Sequence, residues 1–427
     1  MWLRKMLYLN ELRRNQWLKP SELEKIQRRR LRAVIKHAYD NVEFYHKKFK
    51  ALRITPDDIT AVEDLCKIPV TTKSEVREGF RTKQIIDSRI DLSKCHLART
   101  SGSSGEPLTI VYDEKAQDFQ KAVAVRSFME AGGRFRDKWA MITSPQRMLA
   151  QKRWFQRLGF LSPTYLSLFD PAEHHVEILK KLKPDVLEGY SSSLLLLARA
   201  IQKNGINDIR PRTVITSAEV LTEKVRNFIN STFGVKMFDQ FGCIEVGRSA
   251  WECEEHVGYH MDIDALVMEF VEDNEQVAPG ESGRLLYTSL YNYAMPLIRY
   301  DVGDICIPTD ELCSCGRGLP LIKHIEGRTD DFVTTPSGRI FSPIIWTIIM
   351  RTIPGIAQYR VIQETKNDFV VQIVKDYDFS ASTVLQVEDG IKKVLGDVQV
   401  KTEVVEEIPK DKAGKLRSVI SKVRVDQ

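Results

Sequence analysis

Long apolar runs are missing from this chain of 427 residues. None approaches the ~18 consecutive apolar residues that span a bilayer, and the densest cluster, Leu194 to Ala198, is far too short. The first residues, Met1-Trp-Leu-Arg-Lys-Met-Leu-Tyr8, hold neither a sustained apolar stretch nor a small-residue cleavage site, so no signal peptide is expected. A strong charge of one sign is also missing. Against 63 Lys and Arg stand 58 Asp and Glu, and a net +5 is too small on so long a chain to indicate a nucleic-acid binder, though it leaves room for a basic pocket. Cysteine is scarce and odd in number at seven, which argues against a disulfide framework and for a reducing, cytoplasmic setting. Repeats, low-complexity tracts and any Ser-His-Asp or paired-carboxylate hydrolase pattern are likewise lacking. What remains, 43% hydrophobic and 28% charged, suits a soluble globular protein of two or three folding units.

Across residues 21–50 the apolar positions Leu23, Ile26, Leu31, Val34, Ile35 and Ala38 recur at helical spacing. Arg28, Arg29 and Arg30 on the opposite side read as a solvated face, since no second basic run joins them. Further on, strand-like runs (108–112, 138–143, 212–216, 236–239) alternate with helical stretches (114–131, 172–182, 192–204, 222–233), a pattern that favours an α/β sheet with right-handed crossovers. After residue 257 the texture turns β-rich, with strands over 265–271 and 284–289 joined by the turn Pro279-Gly-Glu-Ser-Gly283. From about residue 326, strands over 359–364, 368–375 and 398–405 around a helix at 381–395 suggest an α+β domain of about 100 residues.

Four segments carry chemistry. In Arg99-Thr-Ser-Gly-Ser-Ser-Gly-Glu-Pro107, Thr100 to Gly105 offer hydroxyls and closely approachable backbone N–H groups that suit a polyphosphate, although the Lys ending of a P-loop is absent. In Phe238-Asp-Gln-Phe-Gly-Cys-Ile-Glu245, a strand runs into a glycine turn and then a carboxylate able to hold Mg²⁺ against phosphates; the plainer reading is a surface Glu on a following helix. Ile298-Arg-Tyr-Asp-Val-Gly-Asp304 and Gly327-Arg-Thr-Asp-Asp331 supply carboxylates for ribose hydroxyls and an Arg for phosphate. Ile408-Pro-Lys-Asp-Lys-Ala-Gly-Lys415 is a Lys-rich turn that alone would merely be solubilising.

Taken in order, these segments resemble the adenylate-forming superfamily of acyl- and aryl-CoA ligases, and within it the phenylacetate-CoA ligase-like branch, which includes proteins of capsular polysaccharide biosynthesis. Leu31-Arg-Ala-Val-Ile-Lys-His-Ala-Tyr-Asp-Asn-Val-Glu-Phe-Tyr45 is similar to the branch's N-terminal helix, and Ser217-Ala-Glu-Val-Leu221 to its adenine-side loop. The resemblance implies a large N-terminal domain, 1–326, of mixed α/β sheets with a β-rich subdomain and a helical start over about 1–80. A small mobile C-terminal α+β domain, 327–427, would close over it. It implies ATP, Mg²⁺, coenzyme A and a small carboxylic acid as ligands, and leaves room for a homodimer. Residue by residue, Thr100, Ser101, Gly102, Ser103, Ser104 and Gly105 would hold the ATP phosphates. Ser217, Ala218, Glu219, Phe241 and Gly242 would surround adenine. Glu245 would bind Mg²⁺, Asp304 the ribose, and Arg328 ribose and phosphate, with Asp330 as hinge and Lys415 as the mobile catalytic Lys. The acid is expected near Tyr190, Ser191 and Ser217.

Leu108 in place of a Lys, Ile244 in place of a hydroxyl residue and Asp301 in place of a basic residue depart from the superfamily pattern. Two other outcomes therefore stay open: a ligase that passes the acyl group to an amine or stops at a nucleotidyl product, and a non-catalytic nucleotide-binding relative. Cys313-Ser-Cys315 together with Cys253 and a nearby His is a four-ligand zinc set in residue type, against which stand separate buried thiols and an ordinary turn. Some members of the branch bear such a site, which favours Cys253, His260, Cys313 and Cys315, with His260 chosen over His256 because it opens a strand expected over 261–271. Cys66, Cys95, Cys243 and Cys306 are expected not to ligate.

Overall fold

The computed structural model describes residues 2–99, 108–149, 152–219, 221, 223–327, 333–341, 344–350, 352–376, 378–409 and 418–423. It opens with three helices, Trp2–Asn15, Pro20–Asn41 and Glu43–Leu52. The helix Pro20–Asn41 begins with Pro in its first turn, where the missing N–H costs nothing, and buries Leu23, Gln27, Leu31, Val34, Ile35 and Ala38. The helical run expected over 21–50 is two helices. Val42 is extended (φ −122°, ψ 108°) and a second helix, Glu43–Leu52, follows it. Gln27 rather than Ile26 fills the buried stripe because its amide donates to the Leu266 carbonyl at 2.9 Å. Arg28 and Arg29 are solvent-exposed as expected, whereas Arg30 is half-buried and pairs with Glu11.

Twelve strands form one continuous sheet. Pro163–Ser167, Trp139–Thr143, Val186–Gly189, Thr213–Ser217 and Phe238–Cys243 run parallel, as crossover helices require. Leu187 and Val214 point to the face covered by helices Ala172–Leu182, Ser191–Lys203 and Glu223–Phe233, and Val186 and Ile215 point to the face covered by the end of helix Glu114–Glu130. From Phe238–Cys243 the sheet continues antiparallel through Gly247–Glu252, Tyr259–Met261, Leu321–Gly327, Tyr300–Thr309, Gly283–Ser289 and Leu266–Glu272 to the short edge strand Glu275–Gln276. The β-rich part thus extends the parallel sheet. The strand expected over 261–271 is two, Tyr259–Met261 and Leu266–Glu272, because the backbone turns between them where the Ala265 and Leu266 N–H groups donate to the Asp262 carbonyl.

Past residue 333 a four-stranded sheet, in the order Gln399–Val405, Asp368–Lys375, Ile356–Gln363, Val419–Ser421, packs on helix Ala381–Leu395. It has its own core of Trp346, Tyr359, Val361, Phe369, Val371, Val387 and Ile391, against which Leu168 and Phe169 rest.

Candidate active site

Three strand ends meet at the carboxyl edge of the parallel strands, the side on which open α/β sheets bind ligands. After Val186–Gly189 the chain enters Tyr190 and helix Ser191–Lys203. Glu219, from the loop after Thr213–Ser217, reaches across to this helix start. One of its oxygens accepts from the Ser191 hydroxyl and the Ser192 N–H, each at 2.8 Å, and the other from the Ser192 hydroxyl at 3.0 Å. An anion satisfying orphan donors at a helix N-terminus is a stabilising cap. Ala218, between the sheet and that clamp, is held at φ +73°, a conformation L-residues seldom adopt.

Glu245 lies in a turn between two antiparallel strands, Phe238–Cys243 and Gly247–Glu252, and not on a helix. Two glycines make that turn possible. Gly247 has φ +75°, and a Cβ on Gly242 would stand 2.2 Å from the Gly247 carbonyl oxygen. The Glu245 side chain is buried. The Tyr300 hydroxyl donates to its Oε1 at 3.0 Å, and the Tyr112 hydroxyl donates to its backbone carbonyl at 2.6 Å. Tyr112 ends the hairpin His96–Arg99 with Thr109–Tyr112, in which Arg99 and Thr109 face each other as partners. Tyr300 begins the strand that carries Asp304, on the same buried side as Val302 and Cys306. Around the buried Tyr287, burial and then the Cys243 thiol raise the phenol's pKa well above its usual value, and Asp304 pushes in the same direction. Cys243 acts with Asp304 on Tyr287 and with Glu245 on the buried Tyr112. Phe241, half-buried, pairs with Ala250 across the strands. Among the described residues no Lys or Arg pairs with Glu245, so the donor set fits a cation.

The strand carrying Tyr300 and Asp304 is anchored from behind. Tyr45 donates to the Pro296 carbonyl and accepts from the Ile298 N–H, both at 3.0 Å. Arg299, fully buried at φ +49°, donates to Glu269 at 3.0 Å and to the Ile68 carbonyl at 2.7 Å.

About the strand Tyr259–Met261 the side chains of Cys253, His260, Cys313 and Cys315 place their ligand atoms within 4.8 Å of one another. Cys253 Sγ is 3.6 Å from Cys313 Sγ, and Cys315 Sγ is 3.3 Å from His260 Nε2. A tetrahedral ion with Zn–S bonds of ~2.3 Å has sulfur–sulfur edges of about 3.8 Å, so the spacing fits zinc. His260 Nδ1 lies 3.3 Å from the Leu319 carbonyl, the outer contact that orients a ligating imidazole, and burial holds the ring neutral with a pKa lowered to about 4. His256 instead packs at a tilt against Phe238 and faces Glu252. Cys66, Cys95, Cys243 and Cys306 stand outside this group.

Residues 332–422 match the family model of the CapK C-terminal domain. The chain is 28% identical over 407 residues to phenylacetate-coenzyme A ligase of Pseudomonas putida, covering 90% of this chain and 88% of that one. It is 23% identical over 420 residues to protein CapK of Staphylococcus aureus, covering 95% and 90%. Over nine-tenths of its length the chain is thus similar to a phenylacetate-coenzyme A ligase and to protein CapK. Its fold is that of 2-hydroxyisobutyryl-CoA ligase in complex with 2-HIB-AMP and CoA, with a TM-score of 0.68 at 20% identity over 96% of this chain and 91% of that chain.

Among the residues expected to act in such a protein, Ser217, Ala218, Glu219, Phe241, Gly242, Glu245 and Asp304 lie on the strand ends and turns just described. Thr100 to Gly105, Arg328, Asp330 and Lys415 lie outside the described residues. Leu108 is fully buried, Ile244 is exposed, and Asp301 pairs with Arg284 at 3.3 Å. Sequence reasoning passed over Tyr112, Tyr300 and Tyr45. Only Tyr300 carried a signal, its place between the Arg and Asp of the ribose-side motif.

Proposed function

We propose that the chain activates a carboxylic acid as its acyl-AMP at the expense of ATP and transfers the acyl group to coenzyme A. The observation that carries this reading is the meeting of three distant segments at Glu245: the hairpin flanking residues 100–107, the turn itself and the strand bearing Asp304. The likeness to phenylacetate-coenzyme A ligases over nine-tenths of the chain supports it.

In the first step a carboxylate oxygen forms a bond to the α-phosphorus of ATP and the bond to pyrophosphate breaks. Negative charge moves onto the departing oxygens, so preorganised donors aimed there lower the barrier. Thr100 to Gly105 and Lys415 would supply those donors, Phe241 would stack on adenine, and Asp304 and Arg328 would hold the ribose. Mg²⁺ held by Glu245 would neutralise phosphate charge. Tyr300 fixes the Glu245 carboxylate, and the Glu219 clamp fixes the adenine-side loop. In the second step the thiolate of coenzyme A attacks the acyl carbonyl and AMP leaves. We assign residues 1–326 to the domain that binds these ligands and 327–427 to a lid turning about Asp330, which would withdraw Lys415 and admit the thiol. Zinc on Cys253, His260, Cys313 and Cys315 would serve the fold. Seven free thiols suit the cytoplasm.

The test is acid-dependent exchange of labelled pyrophosphate into ATP, with and without coenzyme A. Exchange together with an acyl-CoA product is expected. Exchange that never yields a thioester would assign the acyl group to an amine, and nucleotide binding without exchange on any acid would leave a non-catalytic binder.

A further inference from the structure

The cleft at the carboxyl edge of the parallel strands has a charged floor. Arg248, the second residue of Gly247–Glu252, extends back across two strands so that its guanidinium lies 3.3 Å from Glu188 at the end of Val186–Gly189, and 3.5 Å from the Gln240 carbonyl. Pairing runs from Glu188 to Ile215 and from Ile215 to Phe238, so Glu188, Phe238 and, by alternation, Gln240 present side chains to one face. Gln240 is 97% buried, yet its Nε2 has no hydrogen-bond partner, a state that buried amides rarely keep. The Arg248 side chain retains a fifth of its exposure, so a ligand can reach it from solvent. Burial pushes its guanidinium below its usual pKa, against the opposing pull of Glu188.

Donors therefore exceed acceptors here. One carboxylate at a long 3.3 Å and one carbonyl at 3.5 Å face five guanidinium N–H groups, and the side-chain amide of Gln240, the residue bearing that carbonyl, stands unpartnered. Covering this floor with a purely apolar acid would strip water from a poorly compensated cation and from an unpaired amide, which is strongly disfavoured. A ligand bearing acceptor oxygens would complete both.

Resting on the ligase reading above, we propose that the acid this chain activates carries a second oxygen-bearing group, a hydroxyl or a second carboxylate, which Arg248 and the Gln240 amide hold. Tyr190, two residues after Glu188 in the chain, lies within the electrostatic reach of Arg248.

The experiment is pyrophosphate exchange by the full chain over matched acids: 2-hydroxy acids, short dicarboxylic acids, and apolar acids of similar size including phenylacetate. In the wild type, kcat/KM for one oxygen-bearing class exceeds that for the apolar acids by at least about tenfold. Arg248→Met lowers that preference by about 10²-fold, with the KM for ATP and the melting temperature as controls on the fold. Arg248→Lys restores part of it if the group is a carboxylate and little if it is a hydroxyl, since an ammonium keeps charge but not the fork. Should Arg248→Met fail to fold, Gln240→Met is read on the same panel for the same ratio. An apolar acid used best by the wild type, with the ratio unmoved in the variants, overturns the inference and leaves the ligase reading standing. No exchange with any acid overturns the ligase reading itself.

Discussion

Tyr300 donates to Glu245 Oε1 at 3.0 Å, a bond between residues 55 apart in sequence that joins the turn after one strand to the start of another. Both partners are buried, so the bond fixes the carboxylate without competition from water. Tyr300→Phe removes the donor and keeps the ring. The expected result is a stability loss of about 1–2 kcal/mol and a fall of about tenfold in kcat/KM for pyrophosphate exchange, partly recovered by raising Mg²⁺. Glu245→Gln should cost more, about 10²–10³ in kcat. An unchanged Mg²⁺ dependence in Tyr300→Phe would show that the hydrogen bond does not position the carboxylate.

Tyr45 sets up the same strand from the helical side, satisfying the Pro296 carbonyl and the Ile298 N–H together. Tyr45→Phe strands both backbone groups in the interior. Urea denaturation should register a loss of about 2–4 kcal/mol with an unchanged m-value. A loss under about 0.5 kcal/mol would mean that water replaces the hydroxyl.

In the parallel half the strands at 138–143, 212–216 and 236–239 were legible because they alternate with helices that keep a 3.6-residue period. Glu114–Glu130 and Ala381–Leu395 fall almost where that period put them. Pro163–Ser167 and Val186–Gly189, by contrast, are short and too poor in β-branched residues to stand out, and 108–112 pairs in a separate hairpin. The joining of the β-rich half to the parallel half was not legible. It depends on pairings such as Leu321 with His260, far apart in the chain, which no local pattern encodes. The break at Val42 was hidden because apolar spacing continues across it. At the site, Glu245 and Asp304 were found through motifs, whereas Arg248 belongs to none of them. Its meaning comes from Glu188, sixty positions away, and from an amide left without a partner.

Lys121 gives a pH-dependent check. Burial, and then Arg153 and Lys5, push its ammonium down to about 8. Since the ordinary value is ~10.4, the native state binds fewer protons than the unfolded chain between these two pH values. The cost to stability is therefore full below about pH 8 and fades as pH rises towards ~10.4. Lys121→Met should raise stability at pH 7 by about 1 kcal/mol, a figure discounted for partial solvent screening, and the gain should vanish by about pH 10.5. A gain that persists at high pH would point to packing in place of charge.

Lys415→Ala separates the two half-reactions. If the C-terminal Lys stabilises the charge that builds as pyrophosphate leaves, adenylation should drop by about 10²–10³. Thioester formation from supplied acyl-AMP and coenzyme A should stay within about twofold, since that step does not build charge on pyrophosphate. Stopped-flow or quench measurement of each half-reaction decides it. Equal losses in both steps would remove Lys415 from its assigned role and make it a residue of the lid's fold.

The cluster of Cys253, His260, Cys313 and Cys315 ties a loop at 313–315 to the middle of the sheet, and Arg317, which follows it, packs over Trp17 and Trp251 while pairing with Glu130 at 2.7 Å. Metal loss should therefore loosen the contact between the N-terminal helices and the sheet, not merely a surface turn. Protein purified without added metal should contain one zinc per chain by elemental analysis. A thousandfold excess of zinc over its dissociation constant would add about 4 kcal/mol to stability, and a strong chelator should abolish that increment. Cys313→Ser should lose both the metal and the chelator response, while Cys66→Ser, at an exposed thiol, should keep both. A metal-free wild type whose melting temperature ignores chelators would make the four side chains an ordinary buried thiol group, with the Arg317 ion pair and its aromatic stacking alone holding the helices in place.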